Sequence, residues 1–145
     1  MQTLKEKTMY YWIELGENCA RSSSVSILEY FNHPAKECIF NAMTGFGGGV
    51  GEREICGAIT GTIAALSIIL KDNFHLSDED VKNKIGQFKN KIKDKYKFLR
   101  CEQLTTDFPS IKDEELTGNK ENRKEFCTNL LLFCVANAEE IINSC

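Results

Sequence analysis

The stretch from Phe40 to Leu70, FNAMTGFGGGVGEREICGAITGTIAALSIIL, limits what this chain can become more than any other. Between Gly45 and Gly51 five of seven residues are glycine, so this backbone can turn through positive φ or approach another group closely. From Ile55 to Leu70 sixteen residues pass without a charge. That run reads as a buried helix opening on small side chains, with Gly57, Gly61 and Ala65 on one face at a spacing of four. A second backbone can pack closely there. The run falls short of the roughly 18 residues a membrane span needs, and its Gly, Thr and Ser content weakens it further, so no membrane insertion is expected.

The flanking segments read as helices too. Thr3–Leu15 predicts a first helix, with Gly16 just past its end. Asn18 is placed to cap a second helix reaching Phe31, with Ile27, Leu28 and Phe31 on its apolar side. Ala35–Met43 is a short helix ahead of the glycine loop, and Lys71-Asp72-Asn73 a turn after the central one. Ser77 with Asp80 resembles a capping box. Val81, Ile85, Phe88, Ile92, Tyr96 and Leu99 then step by three and four with lysines opposite, which places Cys101 at the end of that helix. Glu102–Asn122 is polar and holds Pro109 and Gly118, so it reads as irregular. A last helix spans about Glu121–Asn143, with Phe126, Leu130, Phe133, Ala138 and Ile141 inward. The fold expected over residues 1–145 is one all-α domain: a compact bundle of five or six helices around a central helix starting near Cys56.

The lysine face of the fifth helix is interrupted by Asp78, Glu79, Asp80 and Asp94, and the chain carries a net charge of −3. That balance argues against nucleic acid as a partner. The N-terminus MQTLKEKTMYYW has no apolar export region, so a cytoplasmic location is expected. His33 and His75 sit beside breaks rather than in catalytic motifs. Adjacent carboxylates such as Glu114-Glu115 and Glu139-Glu140 read as solvated charges.

Chemistry is therefore sought among seven cysteines, at positions 19, 38, 56, 101, 127, 134 and 145. No CxxC occurs, which removes zinc-finger and thioredoxin spacings together, and no CxxCH occurs, which removes attached haem. Cys19 and Cys56 each follow glycine-containing turns at helix starts. Cys127 and Cys134, seven residues apart on one helix, lie about 10.5 Å apart along its axis and can neither pair nor share a metal ion. Cys38, Cys134 and Cys145 are read as small packing residues. The glycine loop supports three readings. As a nucleotide cradle it fails, because no register satisfies G-x-G-x-x-G and no Walker lysine follows, so no nucleotide is expected. As a turn it needs no ligand. As part of a thiol or metal site it brings backbone N–H groups to a sulfur, which stabilises a thiolate.

The segments GENCA at 16–20, GFGGGVG at 45–51, CGAITG at 56–61, FLRC at 98–101 and CTNL at 127–130 together resemble the C-GCAxxG-C-C family, described as redox-active proteins named for four cysteines. The match departs from the literal Gly-Cys-Ala-x-x-Gly, since Ile55 precedes Cys56 and Gly57 separates it from Ala58. The resemblance implies redox or metal roles for Cys19, Cys56, Cys101 and Cys127, with Cys134 as the reserve for the fourth. The supporting loop residues would be Gly47, Gly48, Gly49, Gly51, Gly57 and Gly61. Three readings follow: an iron–sulfur cluster or zinc held by four thiolates from separate segments, a thiol–disulfide protein using Cys19 and Cys56, or a non-catalytic helical interaction domain. Each redox reading requires a redox partner, which the sequence does not name.

Overall fold

A computed structural model of the chain describes residues 2–106 and 120–145. Its α-helices are α1 (Leu4–Met9), α2 (Cys19–Tyr30), α3 (Lys36–Ala42), α4 (Gly57–Asp72), α5 (Asp78–Tyr96), α6 (Cys101–Thr106) and α7 (Lys120–Asn143). The all-α bundle expected from the sequence is what the chain forms. Helix α4 is at its centre: it packs against α2, α5 and α7, and no residue from Cys56 to Leu70 is exposed. Ile59, Ala65, Leu66, Ile69 and Leu70 are fully buried on it, and Ile27, Leu28, Phe88, Ile92 and Leu131 close around them from its neighbours.

The closest approach is between α4 and α2. A Cβ at Gly61 would overlap the Ala20 carbonyl oxygen and the Ser23 hydroxyl, so the small-residue face of α4 is matched by the small first turns of α2. Ser22, Ser23, Ser24 and Ser26 are all fully buried there. Ser23, Ser24 and Ser26 return their hydroxyls to carbonyls three or four residues back, Ser22 reaches Glu17, and Thr8 of α1 meets Ser26 Oγ at 2.9 Å. Burial of these hydroxyls costs little because each has a partner.

Caps fall where the sequence placed them. Asn18 Oδ1 accepts from the Arg21 N–H at 2.8 Å, and Ser77 Oγ from the Asp80 N–H at 3.1 Å. Other boundaries differ. The first helix tightens only as far as Met9 and widens into a π-turn over Tyr10–Glu14, with Leu15 exposed and Gly16 at φ +66°. Helix α4 begins at Gly57 with Cys56 as its N-cap, and runs through Lys71 and Asp72, so the turn lies at Asn73–His75. Lys97 at φ +70° stops α5 before Leu99, and Cys101 opens the separate helix α6 rather than ending α5. The irregular segment expected over Glu102–Asn122 is helical through Thr106, and residues 107–119 lie outside the described ones. On α7 the buried stripe is Phe126, Leu130, Leu131, Cys134, Val135, Ala138 and Ile142; Phe133 and Ile141 lie on its edge, only partly buried. Phe133 stacks edge-on against Tyr96 instead. Among the described residues no helix is long and apolar enough to cross a membrane.

Candidate functional site

Cys19 is the first residue of α2 and Cys56 occupies the N-cap position of α4, and the close α2–α4 packing brings the two thiols near enough to act on one another. The absence of a side chain at Gly57 makes room: a Cβ there would stand 2.5 Å from Cys19 Sγ and 2.8 Å from the Phe46 carbonyl oxygen. Cys56 is buried and Cys19 is partly buried, packed against the core, so Cys19 is the more accessible of the two.

The two thiols are not equivalent. The Cys56 thiol donates to the Cys19 sulfur, and this outweighs burial in pulling the Cys19 pKa down from 9.0 to about 6. Backbone N–H groups of Gly48, Ala20 and Cys19 itself also point at the Cys19 sulfur and favour its thiolate further. Cys56 pays the complementary cost: donating to Cys19, burial and the nearby Cys19 charge all hold its proton on, far above the usual thiol range. One proton is therefore released readily from the pair, and the second is retained.

Gly48 can donate because the loop turns through four consecutive left-handed residues: Gly48 (φ +62°), Gly49 (φ +62°), Val50 (φ +54°) and Gly51 (φ +73°). Val50, β-branched, is rare in this region of φ/ψ space. Gly49 is needed for a second reason, since a Cβ there would collide with the Glu54 backbone, and Gly47 lies against the Asn18 side chain, where a Cβ would come within 2.8 Å. Gly49–Arg53 is thus a left-handed turn with a kink rather than a helix.

Cys101 is brought in by a one-residue antiparallel bridge, Ile55↔Arg100. The Cys56 N–H donates to the Leu99 carbonyl at 2.9 Å and the Cys101 N–H to the Glu54 carbonyl at 2.6 Å. In this pattern the residues flanking the bridged pair share one face, which places Cys56 and Cys101 on the same side. Arg100 pairs with Glu54 at 3.1 Å, and Arg53 reaches Thr105 of α6. Cys127 comes from α7. Burial, then the charges of Cys101 and Cys19, push its pKa up to about 11, against a smaller downward pull from Arg123 and Lys124. Trp12 lies alongside, its Nε1–H donating to Thr128 Oγ1 at 2.7 Å with Lys124 Nζ over its ring at 3.7 Å.

The family positions thus lie toward one region: Cys19 and Cys56 act directly on one another, Cys101 shares a side of the bridge with Cys56, and Cys127 feels the charges of Cys101 and Cys19. Among the described residues, which include all four, no group of three or more His, Cys, Asp or Glu is placed to hold a metal ion. Cys134 is fully buried, as a packing residue should be, and burial holds its proton on. Cys38 and Cys145 are exposed, which corrects their reading as packing residues. Cys38 lies on the outer side of the short α3, and Cys145 follows the last turn of α7, where its Sγ–H meets the Ile141 carbonyl at 3.3 Å.

Arg21 escaped notice in the sequence, although a signal existed. A basic side chain in the first turn of a helix opposes the macrodipole and needs another reason to be there.

Fold and site together define an all-helical thiol protein with one acidic cysteine paired to one proton-retaining cysteine. A family model described as "Putative redox-active protein (C_GCAxxG_C_C)" matches residues 17–141, and the chain belongs to that family. It is also similar to a protein from Archaeoglobus fulgidus described as uncharacterized, with 46% identity over 52 residues, covering 35% of this chain and 34% of that protein. The chain therefore matches about a third of that relative's length. No solved structure matches.

The Cys19 environment sets a pH profile. Alkylation of Cys19 by iodoacetamide should rise with a midpoint near pH 6 and level off well before pH 9, while Cys56 stays protected throughout. Because the folded pKa is depressed, the native state gains stability relative to the unfolded state as pH rises from about 6 to 9, and loses that gain on acidification through 6. Above pH 9 the sign reverses, since Cys56 ionises in the unfolded chain and not in the folded one. Melting temperature against pH, compared with Cys19→Ser, checks both limbs.

Proposed function

We propose that this protein is a thiol–disulfide redox protein in which Cys19 is the attacking thiolate and Cys56 the resolving thiol. The observation that carries this reading is the placement of Cys56 beside Cys19 where α2 and α4 meet at Gly57, with the Cys56 thiol and nearby backbone N–H groups favouring the Cys19 thiolate. An acidic, partly exposed cysteine is the reactive kind, and a buried partner within contact is what completes a two-electron exchange.

In the reducing direction the Cys19 thiolate attacks one sulfur of a partner disulfide, forming a mixed disulfide and releasing the partner's other sulfur as thiolate. Cys56 then attacks Cys19 Sγ. The Cys19–Cys56 bond forms, the mixed disulfide breaks, and the second partner sulfur leaves, taking up the proton that Cys56 gives up. Two electrons pass from protein to partner, one disulfide is lost and one is made. The reverse sequence runs on the same atoms. The N–H groups on the Cys19 sulfur make it a good leaving group in that reverse sequence, so the pair is poised toward the oxidising end of dithiol couples.

Protein purified anaerobically and equilibrated in glutathione redox buffers tests this. The expected result is a single two-electron transition that consumes two thiols, with iron and zinc well below one equivalent. Stoichiometric iron or zinc lost on substitution of Cys19, Cys56, Cys101 or Cys127 would replace this reading with a metal centre. No transition and no metal would leave a helical interaction domain.

A further inference from the structure

Little packs around several residues of the loop that carries Gly48. Gly45, Gly48 and Gly51 have nothing within 4 Å of where a Cβ would stand, and three of the loop's glycines take positive φ. It is anchored instead by the two side chains that flank Cys19 on the first turn of α2. Asn18, one residue before the cysteine, caps that helix with Oδ1 and donates from Nδ2 to the Met43 carbonyl at 3.2 Å and the Thr44 carbonyl at 3.4 Å. Arg21, two residues after it, donates from Nε to the Phe40 carbonyl at 2.8 Å and from a terminal nitrogen to Thr44 Oγ1 at 2.7 Å. Its guanidinium also lies 4.0 Å over the Phe40 ring, and Glu17 holds its remaining arm at 3.1 Å.

These contacts converge on the end of α3 and on Thr44, four residues ahead of Gly48. They satisfy carbonyls that the C-terminus of a helix leaves open. Gly47 closes the arrangement, because only a residue without a side chain can lie this near Asn18 Cβ. The turn that presents the sulfur therefore also grips the loop that hydrogen-bonds it.

We infer that Asn18 and Arg21 are positioning residues that hold the Gly48 N–H against the Cys19 sulfur. This rests on the reading of Cys19 as the attacking thiolate, and it assigns to Asn18 and Arg21 a role in that chemistry beyond capping and surface charge. A planar fork is required at Arg21: lysine keeps the charge but cannot reach both the Phe40 carbonyl and Thr44. Serine at position 18 keeps the cap and lacks the amide donor.

The test compares the full chain with Arg21→Lys, Asn18→Ser and the double variant, none of which changes net charge. Ser26→Ala, which removes the Thr8–Ser26 contact elsewhere on α2, serves as the control for stability loss alone. The thiols facing Cys19, those of Cys56, Cys127 and Cys134, stay intact in every variant. Two quantities are read: hydrogen exchange of the Gly48 amide, and the rate of Cys19 alkylation by iodoacetamide at pH 6. The expected result is loss of Gly48 protection together with at least an about threefold fall in alkylation rate in Arg21→Lys and more in the double variant, the rise in intrinsic nucleophilicity offsetting part of the lost thiolate. Ser26→Ala should lower the melting temperature and leave both quantities in place. Should the double variant fail to fold, Arg21→Lys alone decides. Unchanged Gly48 protection and alkylation in folded variants would overturn the inference. A parent protein whose Cys19 already reacts like an ordinary thiol would overturn the thiolate reading beneath it instead.

Discussion

Cys19→Ser is expected to remove the two-electron transition completely, while the protein stays folded. Serine matches cysteine in size and fits the notch over Gly57, so α2–α4 packing is kept, but no nucleophilic thiolate remains to open a partner disulfide. Cys56→Ser should fail differently. Cys19 still attacks, nothing resolves the product, and the protein should accumulate one glutathione per chain, visible as a mass adduct on Cys19. The contrast between the two variants is informative because Cys56 is buried and Cys19 only partly so. A pair of equivalent cysteines would give adducts in both. Cys134→Ser should leave exchange intact, since Cys134 is enclosed in the core and its proton is held on by burial.

Gly61→Leu is expected to carry a stability loss well beyond that of an ordinary surface change. Its Cβ alone meets the Ala20 carbonyl oxygen and the Ser23 hydroxyl, which are backbone and a buried, bonded side chain, so neither can swing away. Overpacking of this kind costs about 1–3 kcal/mol and sometimes more. For a chain of this length that lowers the melting temperature by roughly 2–12 °C. The same variant should also disturb the redox pair, because Ala20 follows Cys19 and any separation of α2 from α4 pulls the two sulfurs apart. Gly86→Ala on α5, where nothing lies within 4 Å, should instead be neutral or stabilising by up to about 1 kcal/mol. Thermal and urea unfolding of the two variants side by side measures the difference. A Gly61→Leu protein as stable as its parent would mean that α2 and α4 do not meet at this face.

What could be read from the residues was whatever local chemistry dictates. Asn18 and Ser77 cap their helices because an oxygen one residue before a helix has few other uses, and both do so here. The spacing of Gly57, Gly61 and Ala65 announced a close helix contact, and α2, with its buried serines, supplies it. Cys19 and Cys56 at glycine-preceded helix starts were legible as a pair for the same reason. Of the three readings open for the glycine loop, the one that brings backbone N–H groups to a sulfur is the one that agrees with Gly48 favouring the Cys19 thiolate.

What could not be read depends on long-range contacts or on residues acting against type. Lys97 adopts φ +70°, and nothing about a lysine signals that, so α5 seemed to reach Leu99 and Cys101 seemed to end it. The Ile55↔Arg100 bridge is one residue long, too short for any alternation to show, yet it sets where Cys101 stands. Cys38 and Cys145 are flanked by no clear apolar period, so composition alone suggested burial. The grouping of four thiolates was an inference from resemblance, which residue spacing alone could not supply.

The most direct measurement of the central claim is disulfide mapping of the full chain. Reduced protein at low concentration is oxidised with glutathione disulfide, free thiols are blocked in acid, and peptides are analysed without reduction. The result predicted is an intramolecular link between Cys19 and Cys56, formed before any other, with Cys101, Cys127 and Cys134 recovered as blocked thiols. Recovery of Cys19 and Cys56 as free thiols, or of Cys19 joined to a different cysteine, would contradict it.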